Sequence, residues 1–297
     1  MNHIEHSLSE EEINSFNLNG FFGPFKVYDP EEIAAEWKKL RIELHDRDFA
    51  PYDIEPSSGL SIGNYDRHLD VSFLSRHIMR PQIVSKLRSV LGPDILNWRT
   101  EFFPKYPNEK GTPWHQNSTF EAASGKVQLQ WPEGSKENGA ITVWCAFTDS
   151  TIDNGCLKLM PRTQYTRFYN EKKGFTREKV VPGFGYDFKE IRYDSNWEPD
   201  EKKAFPLVMK AGECVAFWST LLHGSHPNIS RNMRLGFASR YVPTKVQIYP
   251  ETKILAEFGE TTSLKKWSAV LVSGTDKFGH NKIKERNLKG ELFSSFK

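Results

Sequence analysis

Several things are scarce in this chain, and each scarcity removes a class of function. Charge of one sign is the first: 40 Lys and Arg stand against 38 Asp and Glu, a net charge of +2. With no basic block interleaved with aromatics, a nucleic-acid partner is not expected. No apolar run approaches the roughly 20 residues that span a bilayer, and the first residues lack a signal-peptide pattern. A membrane partner is therefore not expected, and the expected location is the cytoplasm. Cysteine is also scarce. Cys145, Cys156 and Cys214 are odd in number, show no metal-pair spacing and are flanked by apolar residues, which points to buried free thiols in a reducing compartment. Repeats, low-complexity tracts and composition breaks are missing. One domain over residues 1–297 is expected, a length sufficient for a single large core.

Helix signals come first in the chain. Ser9 and Glu12 form a capping box that opens a short helix, and Gly20 can stop it. Asp29, Pro30 and Glu32 open a second helix with Ile33, Trp37, Leu40 and Leu44 on one face. A third comes after Pro81, with Ile83, Val84, Leu87, Val90 and Leu91 as its stripe and Gly92-Pro93 as its end. These helices, over 9–92, are expected to pack on the outside of a barrel formed by later residues.

From about residue 95 the pattern changes to strand-like runs at 95–103, 127–131, 141–147, 156–160, 207–209, 214–218 and 235–242, separated by turn signals. Such runs predict a mainly β fold with flanking helices, a sandwich or jelly-roll barrel over about 95–243. Residues 170–203, polar and aromatic with several glycines, read as a long insertion of the kind that forms lids. Residues 244–297 read as an extension packed outside the barrel.

Of nine histidines, His3, His6, His45, His68, His77 and His280 have polar surroundings and no partner at ligand spacing. Surface or structural roles are expected for them. His115 and His223 differ: each adjoins a strand-like run and comes after aromatic or apolar residues, with His226 a competitor for the second place. A barrel can bring both to one rim, where neutral imidazoles would suit Fe(II). The alternative is two hydrogen-bonded core histidines. Arg234 and Arg240 lie six apart in one strand-like run and so point to the same face. A buried arginine needs an anion, and a dicarboxylate such as 2-oxoglutarate would supply one. An ion pair to Asp149 or Glu101 is the alternative.

Seven strings carry a resemblance: NGFFGP at 19–24, NYDRH at 64–68, WRTEFFPKYP at 98–107, WHQ at 114–116, ITVW at 141–144, FWST at 217–220 and GFASRYVP at 236–243. Together they resemble the phytanoyl-CoA dioxygenase superfamily and, within it, the aliphatic halogenases of nonribosomal peptide biosynthesis, those acting on threonyl groups foremost. The resemblance implies a double-stranded β-helix (a cupin-like jelly roll) using Fe(II), 2-oxoglutarate, O2 and chloride. It implies an amino-acid substrate tethered to a peptidyl carrier protein. It makes His115 and His223 the iron ligands. Arg234, helped by Thr112 and Trp144, would hold the far carboxylate of 2-oxoglutarate. Asn117, Phe120, Thr142 and Arg240 would line the halide site, and Glu101 and Phe103 would meet the substrate arm.

Position 117 is where the chain departs from both patterns it could match. An oxygenase of this kind has Asp or Glu there, and the halogenases have Ala or Gly. A carboxylate at 117 would block the coordination place that a halide needs. Two like charges about 3 Å apart repel by roughly 5 kcal/mol at an effective dielectric of about 20. Asparagine is neutral, and its NH2 can donate to a halide while its oxygen ligates iron only weakly. Chlorination is the expected outcome. The rivals are hydroxylation with water in the open place, an oxygenase weakened by an Asp→Asn change, and a non-catalytic barrel that binds a carrier protein.

Overall fold

The computed structural model describes residues 6–53, 65–135, 139–175, 187–257 and 260–294. Its N-terminal helices obey local signals. In α1 (Glu10–Asn19) the Ser9 hydroxyl accepts from the Glu12 amide while the Glu12 carboxylate accepts from the Ser9 amide, so both halves of the capping box form. Gly20 ends the helix at φ 84°, and a Cβ there would lie 2.7 Å from the Gln164 side chain, so position and packing both call for glycine. Helix α2 (Pro30–Glu43) buries Ile33 and Leu40, and α4 (Pro81–Leu91) buries Ile83, Val84 and Leu87. Between them α3 (Ser72–His77) is too short for periodicity to reveal.

Strands make the body of the molecule. In chain order they are β1 (Phe21–Lys26), β2 (Ile95–Lys105), β3 (Leu129–Gln130), β4 (Ile141–Ala146), β5 (Leu157–Leu159), β6 (Phe205–Pro206), β7 (Glu213–Trp218), β8 (His223–Ser225), β9 (Arg234–Pro243), β10 (Gln247–Ile248), β11 (Ile254–Glu257), β12 (Glu260–Ser263) and β13 (Val270–Ser273). A major antiparallel sheet has the order β1-β7-β4-β9-β2-β13, and a minor one the order β6-β5-β8. The fold is mainly β with flanking helices, the double-stranded β-helix expected, although its sheets do not close into one continuous ring. No helix among the described residues is long and apolar enough to cross a membrane.

Three expectations are corrected by the structure. The run 207–209 is not a strand: Met209 forms one isolated bridge to Ser150, and the short β6 lies just before it. Leu207 and Met209 are apolar because they are buried. The major sheet also draws strands from outside 95–243. β1 comes from the helical N-terminal part, and β13, from the C-terminal extension, pairs with β2 through Val270 and Asn97. Trp267 Nε1 donates to the Trp98 carbonyl at 3.2 Å, so this extension covers the start of β2. The three cysteines are buried and unbridged, as expected.

The main core contains Trp98, Phe102, Phe147, Phe237 and Tyr241. A second, smaller core gathers Trp114, Met160, Tyr169, Phe188, Ile191 and Leu222. It joins the ends of the 170–203 insertion to the segment that carries His115. The middle of that insertion lies outside the described residues, as does Asn64 of the NYDRH string.

Candidate metal centre

The register of the major sheet composes one wall of the site. Glu101 pairs with Ala238, Phe103 with Gly236 and Lys105 with Arg234 between β2 and β9. Across β4, Thr142 pairs with Arg240 and Trp144 with Ala238. Paired residues share a face and alternate residues along a strand share it too. Glu101, Phe103, Thr142, Trp144, Arg234 and Arg240 therefore stand on the same face. Gly236 is glycine because Trp144 lies over it: a Cβ there would fall 1.8 Å from the Trp144 ring.

The opposing side is the extended segment 112–120 set against β8. The amide of His115 donates to the carbonyl of His223 at 3.0 Å, and the amide of His223 donates back at 3.1 Å. This reciprocal pair sends both imidazoles to one side, with ring centroids 4.0 Å apart. Each Nδ1–H donates to a backbone carbonyl two residues upstream, His115 to Pro113 at 2.9 Å and His223 to Leu221 at 2.7 Å. The tautomers are thereby set, and the coordinating lone pairs lie on the two Nε2 atoms. Burial pushes His115 down to about 4 and His223 well below the usual imidazole value, so both rings are neutral, as a metal ligand must be. His226 does not join them; Lys158 and Glu201 are the charges it feels. His68 and His77 are buried structural residues, bonded to Thr100 and Tyr28. Among the described residues no group of three or more His, Cys, Asp or Glu side chains could hold a metal. The histidine pair therefore stands without an acidic third ligand there.

Asn117 is held by its backbone. Its amide donates to the Ser219 carbonyl at 2.8 Å, and its carbonyl accepts from the Ser219 hydroxyl at 2.6 Å. Gln116 is buried and spans three loops: its Nε2 donates to the carbonyls of Thr166 and Thr220, and its Oε1 accepts from the Phe168 amide. Beyond Asn117, Glu171 takes four hydrogen bonds, from the amides and hydroxyls of Ser118 and Thr119. Phe188 packs on His115 with ring centroids 4.9 Å apart. Sequence reading missed Glu171, Phe188 and Ser219. Glu171 is one acid in a polar stretch, and nothing local marks it as a clamp.

The two arginines are not alike. Arg240 Nη2 donates to Glu101 at 2.9 Å, so the alternative of an ion pair to Glu101 is realised for this residue. Its Nη1 is buried with no partner among the described residues, and its guanidinium lies 5.7 Å from the Phe120 ring centroid. Arg234 is 2% exposed and donates through Nη1 to the Phe103 carbonyl at 3.2 Å. Its Nε has no partner among the described residues, and Asp149 is engaged with Lys210 instead. The Trp144 ring lies 5.2 Å away. Burial pulls Arg234 down to about 10. A buried guanidinium with an unused N–H and no carboxylate is a seat for an anion. Thr112 stands just before His115 in the chain, its amide donating to the Ser225 hydroxyl at 3.0 Å. The two neutral imidazoles feel the charge of Arg240, which shares a sheet face with Arg234, and this donor set fits a metal that binds a 2-oxo diacid.

Comparison with known proteins finds one family and solved structures similar to most of the chain. The model of the family described as Phytanoyl-CoA dioxygenase (PhyH) matches residues 16–236. Peroxisomal phytanoyl-CoA dioxygenase of Rattus norvegicus is 26% identical over 173 residues, 57% of this chain and 45% of the rat protein. The chain thus spans about half the length of the curated relatives it matches. A solved structure described as CytC3 with Fe(II) and alpha-ketoglutarate is 41% identical, with a TM-score of 0.78 over 98% of this chain and 99% of that one. A second structure of CytC3 is 43% identical at the same TM-score, covering 98% and 97%.

Proposed function

This chain belongs to the phytanoyl-CoA dioxygenase family, and we propose that within it the protein is an Fe(II)- and 2-oxoglutarate-dependent halogenase acting on an unactivated carbon of an amino acid. The likeness to CytC3 with Fe(II) and alpha-ketoglutarate, which is 2-oxoglutarate, supports both cofactors. Two observations carry the halide: a neutral Asn117 two residues past His115, and a buried Arg240 Nη1 with no partner among the described residues. Where the oxygenase pattern places an anion, this chain supplies an amide, and it adds a buried cationic N–H donor on the adjoining wall.

Each residue then has a task. His115 and His223 hold the metal through Nε2, with their rings oriented by the carbonyls of Pro113 and Leu221. Arg234, with Thr112 and Trp144, takes the far carboxylate of 2-oxoglutarate. Asn117, Phe120, Thr142 and Arg240 line the halide place, and Phe188 shields His115 from water. Glu101 and Phe103 face the substrate. When bound, iron with 2-oxoglutarate and O2 supplies the oxidation that replaces C–H by C–Cl, releasing succinate, CO2 and water. The protein's part is to place the target carbon nearer the halide than any oxygen donor.

Tethering of the amino acid to a peptidyl carrier protein belongs to the same proposal, and its support is the resemblance of the 98–107 string. Mass spectrometry of the product, made with saturating chloride and again without it, tests the reading. The expected product shows the isotope doublet of one chlorine. A gain of a single oxygen in both samples would instead make the protein a hydroxylase, and no product from any aminoacyl carrier would favour a binding barrel.

A further inference from the structure

Lys105 is a buried cation with no task in the halogenation scheme. It is 6% exposed and ends β2 directly opposite Arg234 of β9. Residues so paired share a face with Cβ atoms about 5 Å apart, and like charges placed there repel. The lysine stem is threaded past Gly155, where a Cβ would lie 2.4 Å from Lys105 Cδ. Its Nζ donates to the Lys110 carbonyl at 2.7 Å, two residues before Thr112. One of three ammonium N–H groups is thus used, on a neutral acceptor. No carboxylate among the described residues forms an ion pair with Lys105 or with Arg234. Glu109 is the acid whose charge both feel. Two buried cations side by side without an ion-pair partner are unstable unless an anion joins them.

We infer that Lys105 is a second cationic binding residue for the far carboxylate of 2-oxoglutarate, acting beside Arg234 and holding the loop that carries Thr112. This rests on 2-oxoglutarate being the cofactor and adds a residue to its seat. Burial, and then the Arg234 charge, push the Lys105 ammonium down to about 8. That value is what a site lacking its anion should show, and a bound carboxylate would move it back up. The alternative is that Lys105 only pins the loop through Lys110.

Lys105→Gln separates the two, because glutamine keeps a donor for Lys110 and removes the charge. The measurement is calorimetric binding to the Fe(II)-loaded protein without oxygen, using 2-oxoglutarate and 2-oxobutyrate, which lacks the far carboxylate. Thermal unfolding of the metal-free protein is recorded alongside. The expected result for Lys105→Gln is about tenfold weaker binding of 2-oxoglutarate, unchanged binding of 2-oxobutyrate and an unfolding temperature no lower than that of the parent. Lys105→Arg should keep most of the diacid preference. Equal weakening of both acids, or none of either, overturns the inference and leaves a loop pin. If the parent protein itself binds the two acids equally, the diacid seat at Arg234 fails, and the role of Lys105 falls with it.

Discussion

Asn117 sits two residues past His115 with its backbone clamped by Ser219, so a substitution there changes side-chain chemistry with little effect on the chain path. Asn117→Asp would place an anion beside the halide place. At roughly 5 kcal/mol of repulsion, halide binding should fall by between about three and four orders of magnitude. We expect this variant to lose chlorination and keep iron, with hydroxylated product in its place. Asn117→Ala should retain chlorination. Product mass spectra and iron content decide it; chlorination undiminished in Asn117→Asp would remove position 117 from the mechanism. Trp144 and Gly236 show the same economy of local chemistry, since the indole occupies the volume that any Cβ at 236 would need. The sequence showed both residues but not that one stands over the other.

At the scale of elements, the 170–203 insertion is anchored where it meets the 112–120 segment. Glu171 collects four donors from Ser118 and Thr119, and Phe188 closes on His115. Glu171→Ala leaves two backbone amides without their acceptor. Destabilisation of roughly 3 kcal/mol is expected in urea titration. Iron affinity should also fall by about tenfold, as when a ligand's outer support is removed. Unchanged values in both measurements would show the insertion to be a passenger. Strands divide by how they can be read. β2, β4 and β9 are long enough for side-chain type to mark them. β8 and β13 are too short, and β1 is interrupted by Gly23 and Pro24; each is defined by a partner distant in the chain: β1 by β7, β8 by β5, β13 by β2.

Across the whole molecule, helices meet sheet around His77, whose ring sits 5.3 Å from that of Phe237 and bonds Tyr28 at 2.8 Å. Burial, then the nearby Arg80, push it down to about 3. The unfolded chain takes up this proton near pH 6.5, and the folded one resists it until about 3. The stability His77 contributes is therefore complete above about pH 6.5 and is lost as pH falls toward 3. At about 1.4 kcal/mol per unit the loss amounts to several kcal/mol. Asp66 opposes it. Burial pushes its carboxyl up to about 6, so its share of stability grows as pH falls from 6 toward 4. His77→Gln should reduce the pH slope of unfolding free energy between 4 and 6 by close to one proton. An unaltered slope would place the acid sensitivity elsewhere.

Sequence alone determined the starts of α1, α2 and α4, the mainly β body, and the histidines and arginines worth pursuing. Those features arise from interactions within a few residues or from side-chain type. Only the tertiary structure decided that His115 and His223 touch, that Arg240 is paired with Glu101 while Arg234 is not, and that Lys105 faces Arg234. Each depends on registers between segments more than a hundred residues apart, which sequence spacing does not specify.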